Sequence, residues 1–290
     1  MNKTIIIAEI GECFNGEMTQ AHALIKVAAE AGCDYAKFQT LDKEGIASDD
    51  PERDWFLKIA LSKKMISQLI SWCGESGIKF LCTPENKKSA VILKQLGCDE
   101  VKVASTCLWD DELIDYVSEN FSTVFVSTGM SSLEEVGQVM KKLYRQKQIY
   151  LMHCISEYPT GPLLEQKGLK ALSPEDVHMA MMDILSERFP DAVIGYSDHT
   201  SGIIAPVVAV ARGARVIEKH ITLGREMPIQ NYYNQGPYLG TDHVLSLEPP
   251  ELKQMTLAIR DAEKMVGQKI WDRTEGEKIL MNFIKGRFSQ

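Results

Sequence analysis

Two histidines, His199 in Tyr-Ser-Asp-His-Thr and His220 in Val-Ile-Glu-Lys-His, each close a short apolar run of strand character. In a parallel α/β sheet the C-terminal ends of neighbouring strands lie side by side at the ligand-binding rim. Two imidazoles on consecutive strand ends can reach one divalent cation between them. Either histidine alone would be read as packing or hydrogen bonding at a strand end; the pair turns the reading toward metal.

Lysines give the second signal. Lys37 in Ala-Lys-Phe-Gln-Thr and Lys102 in Val-Lys-Val-Ala-Ser sit within strands. A charge in such a place needs an anionic partner, because burying it unpaired is costly. An internal ion pair with Glu9 or Asp198 would satisfy it. So would a bound anion, for which Thr83, Ser105, Ser127 and Ser197 supply hydroxyls at the same strand ends. Two lysines ringed by hydroxyls suit a phosphate or a phosphate-carboxylate compound. Gln39, Thr128, His153 and Ser156 add further polar groups to the rim.

The elements that must carry these groups repeat along the whole chain. Strand-like runs cover Thr4–Glu9, Asp34–Gln39, Ile78–Thr83, Glu100–Ser105, Thr123–Thr128, Ile149–Cys154, Ala192–Ser197 and Arg215–His220. Helical periodicity fills the gaps over Gln20–Ala31, Lys63–Ser76, Ser89–Leu96, Asp111–Glu119, Leu133–Lys147, Ser173–Glu187 and Gly202–Ala211, and then over Pro250–Val266. Glycine follows several of these helices, where a left-handed residue ends the helix cheaply. Eight βα units with nearly continuous apolar strands predict an α/β fold, a (β/α)₈ TIM barrel in a single domain over residues 1–267, with 268–290 as a C-terminal extension. Ser131 or Ser132 is expected to cap the helix after the fifth strand, with the following glutamates completing a capping box.

Bulk properties narrow the function classes. The 290 residues are 44% hydrophobic and 25% charged, ordinary for a globular protein. A net charge of -8 argues against a nucleic-acid partner. No apolar stretch approaches the roughly 18 residues of a membrane span, and a glutamate at position 9 breaks the N-terminal apolar run, so neither membrane nor secretion is expected. Seven cysteines without a paired CxxC fit a reducing cytoplasm better than a disulfide framework. Cys82, Cys107 and Cys154 fall near the rim and read as small buried hydrophobes. His22 and His178 read as surface or capping residues, and His243 is undecided.

The chain resembles the N-acetylneuraminate (sialic acid) synthase family. The likeness is carried by Ile-Ala-Glu-Ile-Gly (7–11), Lys-Phe-Gln-Thr (37–40), Thr-Pro (83–84), Lys-Val-Ala-Ser (102–105) and Ser-Thr-Gly-Met (127–130). His-Cys-Ile-Ser-Glu-Tyr-Pro (153–159), Gly-Tyr-Ser-Asp-His-Thr (195–200), Val-Ile-Glu-Lys-His (216–220) and Ser-Leu-Glu-Pro (246–249) continue it. The resemblance implies a transferase that condenses phosphoenolpyruvate with the open-chain aldehyde of a sugar or amino-sugar. It implies a divalent metal, Mn²⁺ or Mg²⁺, on His199 and His220. Lys37, Thr83, Lys102, Ser105, Ser127 and Ser197 match positions that hold phosphoenolpyruvate. Glu9 matches an acidic residue facing the metal-bound water, and Tyr158 and Asp242 match acceptor-side positions. Glu9 is the expected base for water addition, with Asp198 behind it.

Departures cluster on the acceptor side. Phe14 stands where the family usually has histidine, and Ser105-Thr106-Cys107 replaces a usual Ser-Gly-Glu, so a rim glutamate is missing. The segment between His220 and Asp242 carries an insert over 228–240, whose Tyr232, Tyr233 and Asn234 are expected to cover the acceptor. The chain ends about where the family's barrel hands over to a C-terminal antifreeze-like domain, so the resemblance is to the catalytic barrel alone, and a homodimer stays open. The expected acceptor is therefore an unusual aldehyde. Rival readings are a synthase of the Kdo 8-phosphate type using a phosphorylated aldose, with Arg212, Arg215 or Arg225 as its extra cation, a metal-dependent sugar isomerase or hydrolase, and a non-catalytic barrel acting as a binding partner.

Overall fold

A strand with one face toward a barrel axis and the other toward helices must bury both, and the eight apolar runs do so. In the computed structural model, which describes residues 3–40, 46, 48–49, 53–158, 168, 172–226, 230–231, 237–238, 241–267 and 270–288, they form eight parallel strands. These are β1 (Ile5–Glu9), β2 (Tyr35–Thr40), β3 (Lys79–Pro84), β4 (Glu100–Val103), β5 (Thr123–Ser127), β6 (Gln148–Cys154), β7 (Val193–Asp198) and β8 (Val216–His220). Their order, β3-β2-β1-β8-β7-β6-β5-β4, wraps the sheet into a nearly closed (β/α)₈ barrel. At the seam between β3 and β4, Lys79 and Glu100 form an ion pair at 3.1 Å.

Side chains alternate strictly between the two faces. One parity points outward under the helices, where Ile6, Ala8, Ala36, Phe38, Val101, Val103, Val124 and Val126 join one continuous core. Burying an aliphatic side chain of this kind contributes roughly 1.5–3 kcal/mol, so this layer holds the barrel together. The other parity fills the interior. Ile7, Tyr35, Leu81, Phe125, Met152 and Val216 make an apolar layer in its lower half, with the rings of Phe125 and Tyr150 stacked at 4.5 Å. Two residues further along each strand, the same parity gives the polar layer of the site.

Helices Met18–Ala31, Lys63–Glu75, Lys87–Gln95, Asp111–Asn120, Leu133–Lys142, Met181–Arg188, Ile204–Ala211 and Pro249–Val266 cover the strands. The capping box falls on Ser132 and Glu135. Two expected helices are shorter than their periodicity. Ser173–Glu187 is split into a 3₁₀ turn, Pro174–Val177, and Met181–Arg188, because His178 between them is left-handed at φ 46°. Leu133–Lys147 stops at Lys142, and Gln146 beyond it donates to the carbonyls of Val117, Ser118 and Phe121. Helices Arg53–Ile59, Thr241–Leu245 and Glu275–Phe288 were not anticipated; the last buries none of its residues. The seven cysteines are free thiols. Among the described residues no helix is long and apolar enough to cross a membrane.

Candidate active site

The interior parity that gives an apolar layer lower down delivers Glu9, Lys37, Lys102, Ser127, Ser197 and Glu218 to the C-terminal mouth of the barrel. They line a cavity of ≈ 360 Å³, together with Gln39, Ser105, Ser156, Tyr158, His199 and His220. Most of the residues expected from the sequence thus meet in one place.

Charge pairing organises the floor. Lys37 Nζ lies 2.8 Å from Glu9 Oε2 and 3.5 Å from Glu218 Oε1, and it donates to Thr83 Oγ1 at 3.1 Å. Lys102 Nζ is 3.8 Å from the same Glu218 oxygen and 3.3 Å from the Val103 carbonyl. Glu218 also accepts from Ser197 Oγ at 3.2 Å. Burial alone would drive the Glu218 carboxyl up, but Lys102, Lys37 and His220 outweigh it and hold its pKa down at about 2. Burial likewise pushes Glu9 up, and Lys37 offsets only part of that. Burial lowers Lys102 against the pull of Glu218. Among the described residues Lys102 Nζ thus makes one hydrogen bond and one longer ion pair, fewer than the three contacts an ammonium can make. Ser127 Oγ in the same cavity is buried with no hydrogen-bond partner among the described residues.

Two glycines make the approach possible. Gly11 is left-handed at φ +47°, and a Cβ there would come within 2.8 Å of Glu9 Oε1 and 3.0 Å of Asp242 Oδ2. At Gly129 a Cβ would strike the hydroxyls of Ser156 and Ser105, and its N–H donates to Ser105 Oγ at 3.0 Å.

The histidines fit a divalent cation. His199 Nδ1 lies 2.9 Å from the Ile155 carbonyl, an arrangement that keeps the proton on Nδ1 and leaves the Nε2 lone pair for a ligand bond. His220 Nδ1 is buried without a hydrogen-bond partner among the described residues, with Asp242 Oδ2 at 3.4 Å. The ring centroids are 5.5 Å apart. Tyr158 stacks on His199 at 4.5 Å and meets His220 edge-on at 6.5 Å. Among the described residues no group of three or more His, Cys, Asp or Glu could hold a metal. The donor set is a pair of imidazoles with open positions, which suits a cation completed by water or substrate rather than a closed structural site.

Several expected residues fall elsewhere. Asp198 has the outward parity; it pairs with Lys219 at 2.6 Å and accepts from Tyr196 Oη and from the Thr200 backbone, behind the strand and away from the cavity. The expectation that it stands behind Glu9 as a base, or pairs with Lys37 or Lys102, is corrected on that ground. Thr83 lies under Lys37 and does not line the cavity. Asp242 faces His220 Nδ1 and is not among the residues lining the cavity. His153, also outward, has Nε2 2.8 Å from the Val177 carbonyl, and Thr128 donates to the Met152 carbonyl. His243 is buried between Thr222 Oγ1 and Asn15 Oδ1. His22 stacks on Trp72.

The insert after β8 pairs Gln230–Asn231 antiparallel with Pro237–Tyr238. Tyr232, Tyr233 and Asn234, expected to cover the acceptor, lie outside the described residues. Arg212 pairs with Asp183, Arg215 donates to the Ala214 carbonyl, and Arg225 pairs with Glu251, so none of the three supplies the cavity with a cation.

Sequence reasoning missed Glu218, Glu85 and Phe56 on the cavity wall. Glu218 had a signal, since it precedes His220 by two residues on the same strand and therefore shares its face. Glu85 and Phe56 lie outside regular strands and had none.

Comparison with known proteins gives a consistent set. Residues 24–271 match the sequence pattern described as the NeuB family. The chain is 32% identical over 304 residues to an N,N'-diacetyllegionaminic acid synthase of Campylobacter jejuni, covering 98% of this chain and 84% of that protein. It is 30% identical over 302 residues to an N-acetylneuraminate-9-phosphate synthase of Drosophila melanogaster, covering 97% and 74%. The crystal structure of an N-acetylneuraminic acid (sialic acid) synthetase from Leptospira borgpetersenii, in complex with citrate, superposes with a TM-score of 0.83 at 25% identity, covering 100% of this chain and 93% of that one.

Proposed function

The chain belongs to the NeuB family, and from that premise we propose that it condenses phosphoenolpyruvate with the open-chain aldehyde of a sugar or amino-sugar. The products are a 3-deoxy-2-keto acid of the nonulosonic type and inorganic phosphate. One observation carries the reading: among the described residues Lys102 is buried at the cavity floor short of acceptors, and the buried hydroxyl of Ser127 in the same cavity has no partner. An anionic donor completes both.

Phosphoenolpyruvate lies over Lys37 and Lys102, with Ser105, Ser127 and Ser197 donating to its oxygens. Fixing the donor this way sets its C3 against the acceptor carbonyl and removes the entropy of encounter. His199 and His220 would hold a divalent cation, Mn²⁺ or Mg²⁺, whose contribution when bound would be Lewis-acid polarisation of the acceptor carbonyl. Glu9, held by Lys37 and by Gln39 Nε2 at 2.8 Å, takes a proton from the water that adds at C2. Its raised pKa makes it a better base than Glu218, which is pinned at about 2. Ser156, Tyr158 and Asp242 bound the acceptor side, Asp242 through His220.

The geometry favours an acceptor without a phosphate. Arg212, Arg215 and Arg225 are engaged away from the cavity, and no arginine lines it among the described residues. The test is release of inorganic phosphate from phosphoenolpyruvate with Mn²⁺ or EDTA, across aldoses, N-acetylated amino-sugars and their 6-phosphates. Release that needs both the metal and an unphosphorylated sugar is expected. Release only with a 6-phosphate overturns the acceptor class, and no release with any sugar overturns the condensation.

A further inference from the structure

Among the described residues three carboxyl groups line the cavity, and one of them has no place in the reaction described so far. Glu9 touches the Lys37 ammonium at 2.8 Å, and Glu218 lies between Lys37 and Lys102 at 3.5 and 3.8 Å. Glu218 is thereby held as an anion, and Lys37 pulls Glu9 the same way against its burial. The third, Glu85, follows β3 directly after Pro84 and lines the same cavity beside Ser105 and Thr106. It has a different neighbour. Its Oε2 is the acceptor for Cys107 Sγ at 3.5 Å, and Cys107 closes the 3₁₀ turn Ser105–Cys107 that presents the Ser105 hydroxyl. Glu85 thus stands against the turn that forms one wall of the anion pocket.

We propose that Glu85 is the acid of this site: as a neutral carboxyl it donates a hydrogen bond to the phosphate of the bound donor and protonates the bridging oxygen as phosphate leaves C2. The assignment rests on the condensation reading above. Its first support is electrostatic. An ionised carboxylate on the wall of a phosphate pocket repels the ligand, whereas a protonated one binds it. The groups facing Glu85 agree. Burial drives its carboxyl above the usual range; Cys107 beside it and Lys37 and Lys102 across the cavity pull it back, and Glu9 pushes it further up. Two carboxyls in one site, one paired to a lysine and one against a thiol, divide into a base and an acid.

The protons balance. Water adds to C2 and gives one proton to Glu9, which passes it to the oxygen of the former aldehyde. The bond from C2 to the bridging oxygen then breaks, its electron pair stays on that oxygen, and the Glu85 proton joins it as phosphate departs. The C2 hydroxyl becomes the keto group and returns its proton to Glu85.

Glu85→Gln keeps the shape and a hydrogen-bonding group while removing the proton, and Glu85→Asp keeps an acid if the first variant folds poorly. Both are compared with wild type on the sugar that wild type uses, with Mn²⁺, over a range of pH, and by infrared spectroscopy of the carboxyl stretch with phosphoenolpyruvate bound. For Glu85→Gln, kcat is expected to fall about 10²–10⁴-fold with little change in the KM for phosphoenolpyruvate. The alkaline limb of the kcat profile and one protonated-carboxyl band should vanish together. Glu85→Asp should retain the limb at reduced kcat. Wild-type kcat in Glu85→Gln, a loss of kcat with the alkaline limb intact, or no protonated carboxyl assignable to Glu85 overturns the proposal. A wild type that releases no phosphate with any sugar overturns the condensation, and Glu85 with it. An active wild type with an equally active Glu85→Gln overturns Glu85 alone.

Discussion

Lys102 Nζ and Glu218 Oε1 lie 3.8 Å apart at the bottom of the cavity, the only carboxylate among the described residues within ion-pairing reach of that ammonium. The same oxygen serves Lys37 at 3.5 Å. Glu218 is therefore the resident anion between two lysines that the donor must also contact. Glu218→Gln leaves two like charges buried with less compensation, and a loss of roughly 3–5 kcal/mol of stability is expected. Phosphoenolpyruvate brings replacement charge, so it should raise the Tm of the variant more than that of wild type. Thermal unfolding with and without phosphoenolpyruvate checks both. Equal ligand shifts would remove Glu218 from its place as a stand-in for the donor.

His199 and His220 should behave as a pair. His199→Ala or His220→Ala is expected to weaken Mn²⁺ binding, read by electron paramagnetic resonance, by at least about 100-fold, since even outer-sphere changes cost 10–100-fold. Phosphate release should vanish in EDTA and return with Mn²⁺ or Mg²⁺ in wild type, and fail to return in either variant. Unchanged Mn²⁺ binding in both variants would reduce the two imidazoles to packing groups beside Tyr158.

The barrel was legible in the sequence because each strand and most helices announce themselves by period and by a terminal turn residue. Within the site, type and strand end were legible, but face was not applied strictly enough. Glu218 and His220 are two apart on β8 and point inward together; Asp198 and Lys219 have the opposite parity and meet each other outside. Reading every strand end as rim therefore admitted Asp198 and His153 and passed over Glu218. Glu85 was beyond that kind of reading. It follows a strand as part of a loop, and only the fold brings it against Cys107, 22 residues further on.

Asp198 supplies a direct check on that parity argument. Its carboxylate and Lys219 Nζ are both fully buried, so Asp198→Ala strands a lysine in the layer between strands and helices. A loss of about 3–5 kcal/mol is expected. Replacing both partners, Asp198→Leu with Lys219→Met, should recover much of it, because apolar groups of similar volume suit that layer. The folded Asp198→Asn protein should keep the acid limb of the kcat profile, whereas Glu9→Gln should lose it. Loss of that limb in Asp198→Asn with normal stability would return Asp198 to the chemistry.

Histidines that are buried neutral should lose their contribution to acid stability first, and lowered carboxylates only later. Burial lowers His243 against the pull of Asp242, and burial lowers His153 against its hydrogen bond to the Val177 carbonyl. For both, the folded pKa lies below the ordinary value of 6.5, so the unfolded chain binds more protons than the folded one in that interval. The contribution of these two histidines is complete above pH 6.5 and falls as the pH drops from there toward their folded pKa values. Each histidine contributes up to about 1.4 kcal/mol per pH unit while only the unfolded form is protonated. Carboxylates such as Glu251, lowered by the hydrogen bond from Arg225, lose their contribution only below the ordinary carboxylate value of 4.5, so the two effects separate on the pH axis. Urea unfolding at steps of pH should show the contribution of these two histidines declining below pH 6.5, against an opposite contribution from Glu9 and Glu85, whose raised carboxyls favour the folded state as the pH falls. In His243→Gln, which keeps polar contacts for Thr222 and Asn15, the slope of stability against pH should drop by about one proton while the decline below pH 4.5 is unchanged. A slope indifferent to His243→Gln would mean that the imidazole titrates freely in the fold, and that its burial between Thr222 and Asn15 does not hold in solution.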